Sequence, residues 1–225
     1  MRESKIRPIS VVDAVAEHLS EEIFDGIFLP GHALVESQLA KRYQVPRQTI
    51  RSALVVLIHN GILCREPNKS VYVPEFNESD LRDLFDVRRL LEMEAARILA
   101  IQKIVPKEAE NVVRLMEILS DKSGWNEILR LDFDFHKAMI KATGSLRLQR
   151  FYHSISSEKR LALSYYYRST NFSTPQKIAE EHMALINALR TGDPNTAMDA
   201  THHHLNDAEA FIKQAIQRRR DQVTC

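Results

Sequence analysis

Two residues in the stretch "LDFDFHKAMI" have the types and the spacing of metal ligands. Asp132 and His136 are four positions apart, so both lie on one face if the stretch is helical. The same face carries the core-forming side chains Leu129, Met139 and Ile140. We therefore expect a carboxylate and an imidazole to point together toward an apolar interior.

A third candidate ligand, His182, lies in the stretch "IAEEHMALINAL". It is in helical register with the apolar residues Ile178, Leu185 and Leu189. Its imidazole is therefore also expected to point inward, from a second helix.

The run "ATHHHLNDAEAF" adds the consecutive histidines His202, His203 and His204. Successive helix residues differ by about 100° in direction, so three consecutive histidines cannot share one face. The run is too short for an affinity tag and lies inside a periodic helix. His204 alone falls on the apolar stripe of that helix, which consists of Ala197, Thr201, Ala208, Phe211 and Ala215.

Each of these histidines, taken alone, is more often a hydrogen-bonded core residue than a metal ligand. Taken together, Asp132, His136, His182 and His204 supply the imidazole and carboxylate donors that suit a first-row divalent metal. The sequence therefore predicts a metal site spread over three helices. Zinc is the favoured ion, with nickel and manganese as alternatives.

The elements that must position these residues are predominantly helical. Capping residues, prolines and glycines divide residues 76–225 into about six amphipathic helices, which predicts an all-α bundle. Residues 1–75 show a different pattern. It predicts a first helix capped by Ser10, then two helices separated only by Gln44–Pro46, and finally two short strands around a turn at Pro67–Lys69. This order predicts a winged helix-turn-helix, and the fold class is mostly α.

Basic residues are concentrated in the same N-terminal segment. Between Gln38 and Lys69 there are six basic residues and one acid, although the whole protein has a net charge of only +1. Such a group of positive charges would attract the phosphate backbone of DNA. Charge alone does not distinguish this from an ordinary solvated surface, unless a fold presents the basic residues to DNA. The helix-turn-helix supplies such a fold, because its second helix would present Arg47, Gln48, Thr49 and Arg51 to base edges and phosphates, with Lys69 in the wing turn.

Composition and charge exclude several other classes of protein. The chain is 44% hydrophobic and 27% charged, which is typical of a folded globular protein. No apolar run approaches the length of a membrane helix, and the N-terminus lacks the apolar core of a signal peptide. Cys64 and Cys225 provide no disulfide framework, so we expect a cytoplasmic protein.

The stretch "PGHALVESQLAKRYQVPRQTIRSALVVLIHNGIL" resembles the DNA-binding domain of the GntR family of bacterial transcription regulators. The resemblance implies that Arg47 and Arg51 contact DNA. Three positions depart from the family pattern: Ser37 replaces a frequent arginine, Pro46 replaces a serine or threonine, and Ser70 replaces a glycine of the wing.

The C-terminal half resembles the FCD ligand-binding domain of the FadR branch of that family, through "DLFDVRRLLEMEAA", "LDFDFH", "EHMALINALRTGD" and the pair His204–Leu205. The resemblance implies the same four metal ligands. It also implies that Arg88 binds an effector carboxylate, whereas from the residues alone an exposed Arg88 is about equally expected. Ser145 stands where an asparagine is common.

These features together predict a metabolite-responsive transcription regulator, a homodimeric repressor that binds double-stranded operator DNA and a small carboxylate-bearing effector. The four protein ligands would leave open coordination positions for that acid. A regulator that senses the metal itself is the first alternative. A metal-dependent hydrolase is a weaker one, because the only acid beside His182, Glu181, is expected to point away from the site.

Overall fold

The chain divides into two compact units, Met1–Glu75 and Phe76–Cys225. In the computed structural model the described residues are 10–66, 70–119, 125–167 and 174–223. Nine helices and three short strands occur among these residues, which confirms the mostly α fold class.

The N-terminal unit contains a helix-turn-helix supported by a preceding helix. Its elements are α1 (Val11–Phe24), β1 (Ala33–Leu34), α2 (Glu36–Tyr43), α3 (Arg47–His59), β2 (Cys64–Arg65) and β3 (Val71–Tyr72). Helix α1 begins at the predicted cap, where the Ser10 hydroxyl accepts a hydrogen bond from the Asp13 amide. Its buried Leu19 and Ile23 belong to the core of this unit, and α1 packs against α3.

The wing contains one strand more than the sequence predicted. β3 is the central strand of a three-stranded antiparallel sheet with the order β1-β3-β2, in which Leu34 and Arg65 both pair with Val71. Strand β1 has only two residues. Because two residues cannot display an alternating pattern, periodicity could not reveal it.

The turn between α2 and α3 is fixed by its backbone and by one buried carboxylate. Gln44 ends α2 in the left-handed conformation with φ 55°, and Pro46 is extended immediately before α3. Glu22 of α1 is buried and accepts hydrogen bonds from Arg42, at 2.5 Å, and from the Tyr43 hydroxyl. These contacts fix the end of α2 against α1, so the start of α3 has a defined position.

The C-terminal unit is a bundle of six helices among the residues that the structure describes there, as the sequence predicted. They are α4 (Glu78–Gln102), α5 (Lys107–Ile118), α6 (Trp125–Ala142), α7 (Leu146–Tyr167), α8 (Pro175–Arg190) and α9 (Pro194–Val223). Helix α4 packs along α9, while α5 packs against α6 and α8.

Helix α6 contributes to three apolar clusters of this bundle, the smallest through Ile140. Leu131, Phe135 and Met139 belong to a cluster shared with α5 and α8, whereas Leu129 packs into a cluster shared with α4, α7 and α9. Helix α6 is therefore buried along much of its circumference. Polar groups on its inward faces are consequently enclosed by other helices rather than by solvent.

The first turn of α4 provides a test of the local folding rules. Asn77 and Asp80 form a capping box, in which the Asn77 side chain accepts from the Asp80 amide and the Asp80 carboxylate accepts from the Asn77 amide. We expect Asn77→Ala to lower the free energy of unfolding of this unit by about 1 kcal/mol in urea denaturation. Arg82→Ala, at an exposed position one turn later, should change it by less than about 0.5 kcal/mol. Equal midpoints for Asn77→Ala and the wild type would contradict the capping role.

Candidate metal centre

The structure brings the four predicted metal ligands together. Asp132 and His136 lie on α6, His182 on α8 and His204 on α9, and one donor atom of each lies within 4.8 Å of the others. Asp132 Oδ1 is 3.3 Å from His182 Nε2 and 3.6 Å from His136 Nε2. His204 Nε2 is 3.2 Å from His136 Nε2.

The three consecutive histidines point in different directions. His202 and His203 are exposed, whereas His204 is half-buried and faces the imidazoles of His136 and His182. The apolar stripe of α9 identified the inward-facing member because it continues on both sides of the run, through Thr201 before it and Phe211 after it, which are both buried.

Contacts at the far nitrogens orient two of the imidazoles. His182 Nδ1 lies 2.7 Å from the carbonyl oxygen of Ile178, and His136 Nδ1 lies 2.7 Å from Glu92 Oε2. A proton on each Nδ1 leaves the Nε2 lone pair directed at the cluster. His182 Nε2 is buried and has no hydrogen-bond partner within the described part of the chain. This unsatisfied nitrogen, beside two further imidazoles and a carboxylate, fits a divalent cation.

Glu92 and Arg88 form a buried ion pair behind His136. Arg88 Nε donates to Glu92 Oε1 at 2.8 Å, and both side chains are almost completely inaccessible. Burial alone would raise the pKa of Glu92, but the charge of Arg88 and the close imidazole of His136 hold it well below its ordinary value. Glu92 is therefore ionised beside His136 Nδ1. The sequence did not single it out, because a glutamate on a long helix is ordinarily exposed.

Lys159 is a second buried cation that the sequence did not identify. Its side chain is 1% exposed, and its Nζ lies 3.1 Å from Asp132 Oδ2. Burial alone would raise the pKa of Asp132, but Lys159 and His136 hold it well below its ordinary value. Asp132 thus directs one oxygen toward the imidazoles and the other toward Lys159.

His204 is held in its neutral form by its surroundings. Burial lowers the pKa of His204 well below its ordinary value, and the neighbouring imidazoles of His182 and His136 act in the same direction. At neutral pH its ring therefore keeps a lone pair, which is the form that a metal requires.

A cavity of about 350 Å³ opens onto this cluster, which is within the size range of small-molecule sites. Its wall includes Asp132, His182, His204 and Arg88. The side chain of Arg88 is only 2% exposed, so of the two alternatives left by the sequence, the inward-facing one is correct. Apolar side chains complete this wall, among them Ile128, Leu129, Leu163 and Phe211.

The expectation for Glu181 was wrong. Glu181 lines the same cavity as His182, and burial raises its pKa. Adjacent helix positions differ by about 100°, but a glutamate side chain is long enough to reach the wall of a cavity that extends from α8 toward α9.

The predicted DNA-reading residues lie near the start of α3. Arg47, Gln48 and Arg51 are exposed and Thr49 is half-buried, while Ile50, Ala53, Leu54 and Leu57 of the same helix are buried. Lys69, the wing candidate, lies outside the described residues. Arg51 also makes a two-point ion pair with Glu36 of α2.

Comparison with known proteins places both units in described families. Residues 83–207 match the FCD domain, and residues 11–73 match the family of bacterial regulatory proteins named gntR. Within the described ranges, no helix has the length and apolar character needed to cross a membrane.

Individual relatives and a solved structure span nearly the whole chain. The HTH-type transcriptional repressor RspR of Escherichia coli (strain K12) is 23% identical, with 97% of this chain and 96% of that protein aligned. The Nta operon transcriptional regulator of Aminobacter aminovorans is 29% identical, with 87% and 86% aligned. The crystal structure of a GntR transcriptional regulator from Rhodococcus sp. RHA1 gives a TM-score of 0.79 at 25% identity, covering 91% of this chain and 98% of that one.

The orientation of the histidine run predicts a difference in metal retention. We expect His204→Ala to lose bound metal, because it removes a donor from the cluster, whereas His203→Ala should retain it, because His203 is exposed. Elemental analysis of the purified proteins, followed by zinc titration of the metal-free forms, measures both effects. Equal metal content in the two variants would contradict the role of His204.

Proposed function

Because the chain belongs to the GntR family of bacterial regulatory proteins and carries an FCD domain, we propose that it is a repressor controlled by a small acidic metabolite. In this proposal the metabolite binds beside a metal ion in the cavity of the C-terminal unit and changes the affinity for operator DNA. The observation that carries it is the opening of one cavity onto both the ligand cluster and Arg88.

The coarser assignment follows from the family. The matching families and relatives are transcription regulators, so this protein is a DNA-binding transcription regulator and not an enzyme. The hydrolase alternative is thereby excluded. We propose that Arg47, Gln48, Thr49 and Arg51 read the operator from α3. The first three open that helix, and its residues Ile50, Ala53, Leu54 and Leu57 are buried.

The metal proposal assigns Asp132, His136, His182 and His204 as ligands. Three imidazoles and one carboxylate favour zinc, with nickel and manganese as alternatives, and all three ions accept this donor set. When bound, the ion would supply a Lewis-acidic centre that attracts a carboxylate oxygen.

Charge balance favours an anionic effector. The buried cations Arg88 and Lys159 balance the carboxylates of Glu92 and Asp132 before any ion is present. The charge of a divalent cation is then uncompensated by these four residues, and the other charged side chains of the cavity wall, Glu181, Asp207 and Lys177, offset only part of it. Burying an uncompensated charge is costly. An acidic metabolite compensates for it, and Arg88 is placed at the cavity wall to bind the second end of the acid.

Regulation requires only that the effector bind two arrangements of the protein with different affinity. We propose a homodimer whose two recognition helices match an operator of two-fold symmetry. Repression is supported by RspR of Escherichia coli, which is named a repressor. A protein that acts on the bacterial chromosome works in the cytoplasm.

A metal-responsive regulator is the second candidate. It is favoured by the completeness of the cluster, since four donors from three helices are in place without any effector. In that case metal alone would change the affinity for operator DNA, and an acid would add nothing.

The DNA-reading proposal predicts a loss of operator affinity. Replacing Arg47 or Arg51 by Ala should weaken binding to a selected operator by about 1–3 kcal/mol if each contacts a specific base. Fluorescence anisotropy with labelled duplexes measures this loss. Arg82→Ala, at an exposed position on α4, is the control. Unchanged affinity in both recognition-helix variants would rule out the assignment of α3.

The effector proposal predicts an acid-dependent change in the zinc-loaded protein. Zinc alone, followed by a panel of small mono-, di- and tricarboxylates, is titrated while operator affinity is recorded. At least one acid should shift the affinity by about tenfold, and mass spectrometry of the purified protein should identify a retained acid. Arg88→Lys should retain zinc, because the charge beside Glu92 is kept, but should weaken the response to the acid.

The outcomes separate the candidates. A response to zinc without any response to an acid would establish the metal-responsive regulator instead. No response to either would contradict both. Arg97→Lys, at a surface arginine paired with Glu94 on the same helix, is the matched control and should leave the acid response unchanged.

A further inference from the structure

Glu36, the first residue of α2, holds the guanidinium of Arg51 across the helix-turn-helix. Arg51 Nε donates to Glu36 Oε1 at 3.1 Å, and Nη2 donates to Oε2 at 2.8 Å. We propose that Glu36 is a positioning residue that presets Arg51 to recognise a guanine in the major groove. This inference rests on the proposed role of α3 in reading the operator.

Neither stability nor attraction to DNA accounts for a carboxylate at this position. The side chains of Arg51 and Glu36 are 56% and 29% exposed, and exposed ion pairs contribute little to folding. Arg51, Arg65 and Arg47 surround Glu36 closely enough that their charges lower its pKa. A permanent negative charge in the middle of the basic surface repels phosphates, so on its own it weakens binding to DNA.

The geometry of the pair supplies the compensating advantage. Glu36 occupies the edge of the guanidinium that carries Nε and one side of Nη2. The opposite edge, formed by Nη1 and the second hydrogen of Nη2, remains directed away from the carboxylate. This edge matches the O6 and N7 acceptors of guanine.

The pair also fixes the conformation of a long side chain before DNA arrives. An unrestrained arginine loses rotamer freedom when it contacts a base, and this loss subtracts from affinity. Because Glu36 already restrains Arg51, part of this entropy loss is avoided, but only for the one orientation of the guanidinium that the pair holds. The restraint therefore favours a specific base contact over the many phosphate contacts that a mobile arginine can make.

The experiment selects operators from a randomised duplex library with the full-length protein. The wild type, Glu36→Gln and Arg51→Ala are each used for selection. Affinity is then measured for the wild-type operator and for a random duplex of equal length. Glutamine keeps the size of the side chain and one acceptor oxygen but removes the charge and the two-point pairing. Glu17→Gln, on the exposed surface of α1, removes the same charge elsewhere and is the matched control.

We expect opposite effects on the two kinds of DNA. Glu36→Gln should lose about tenfold or more in affinity for the operator, together with the preference for guanine at one position of each half-site. Its affinity for the random duplex should be unchanged or higher, because a repulsive charge has been removed. A variant that was merely less stable would lose affinity for both duplexes.

Three results would overturn the inference. If Arg51→Ala loses the guanine preference while Glu36→Gln keeps it, Arg51 reads the base without help and only this inference fails. If all three proteins select the same sequence, Arg51 does not read a base, and the proposed role of this part of α3 fails with it. Equal losses on both duplexes in Glu36→Gln would also contradict the positioning role.

Discussion

Charge compensation inside the helical bundle is the constraint on which the rest of the C-terminal unit depends. Glu92 is fully buried and Asp132 largely so, and each has a buried cation beside it, Arg88 and Lys159 respectively. A buried charge without a partner is more costly than the pair is favourable, so all four residues must be in place together. Arg88 and Glu92 both lie on α4, the Asp132–Lys159 pair joins α6 to α7, and the contact of Glu92 with His136 joins α4 to α6. These contacts constrain how the three helices face one another. The imidazoles of the cluster occupy the space that this arrangement leaves.

The two units use the same pair of side-chain types in opposite physical settings. Arg88 and Glu92 lie in the interior, where the low dielectric makes their attraction strong and the removal of either one severe. Arg51 and Glu36 lie at the surface, where water weakens the attraction and leaves the arginine accessible. The Arg88–Glu92 pair therefore stabilises the folded interior. The Arg51–Glu36 pair restrains the arginine but leaves part of its guanidinium accessible to another partner.

Sequence periodicity was sufficient to find the four clustered residues, because each lies on a helix long enough to show which face is apolar. It also distinguished His204 from its two neighbours. It could not find Glu92 or Lys159, since their residue types indicate exposure and their burial depends on helices distant in the sequence. Strand β1 was missed because it is two residues long. The orientation of Arg88 was open in the sequence for the same reason as that of Lys159, and packing against α6 and α7 decides it.

Because α9 is long, a small tilt of the helix at His204 displaces its far end by a larger distance. The helix has 30 residues, and the stretch from His204 to Val223 is about 28 Å long. If His204 acts as a pivot, a tilt of about 5° displaces the far end by about 2.5 Å, which is more than a side-chain contact tolerates. Glu209, which pairs with Arg89 of α4 at 2.7 Å, lies only about 7.5 Å from His204 along the helix, where the same tilt amounts to about 0.7 Å. A displacement of less than an ångström at the cavity is thereby enlarged by leverage alone.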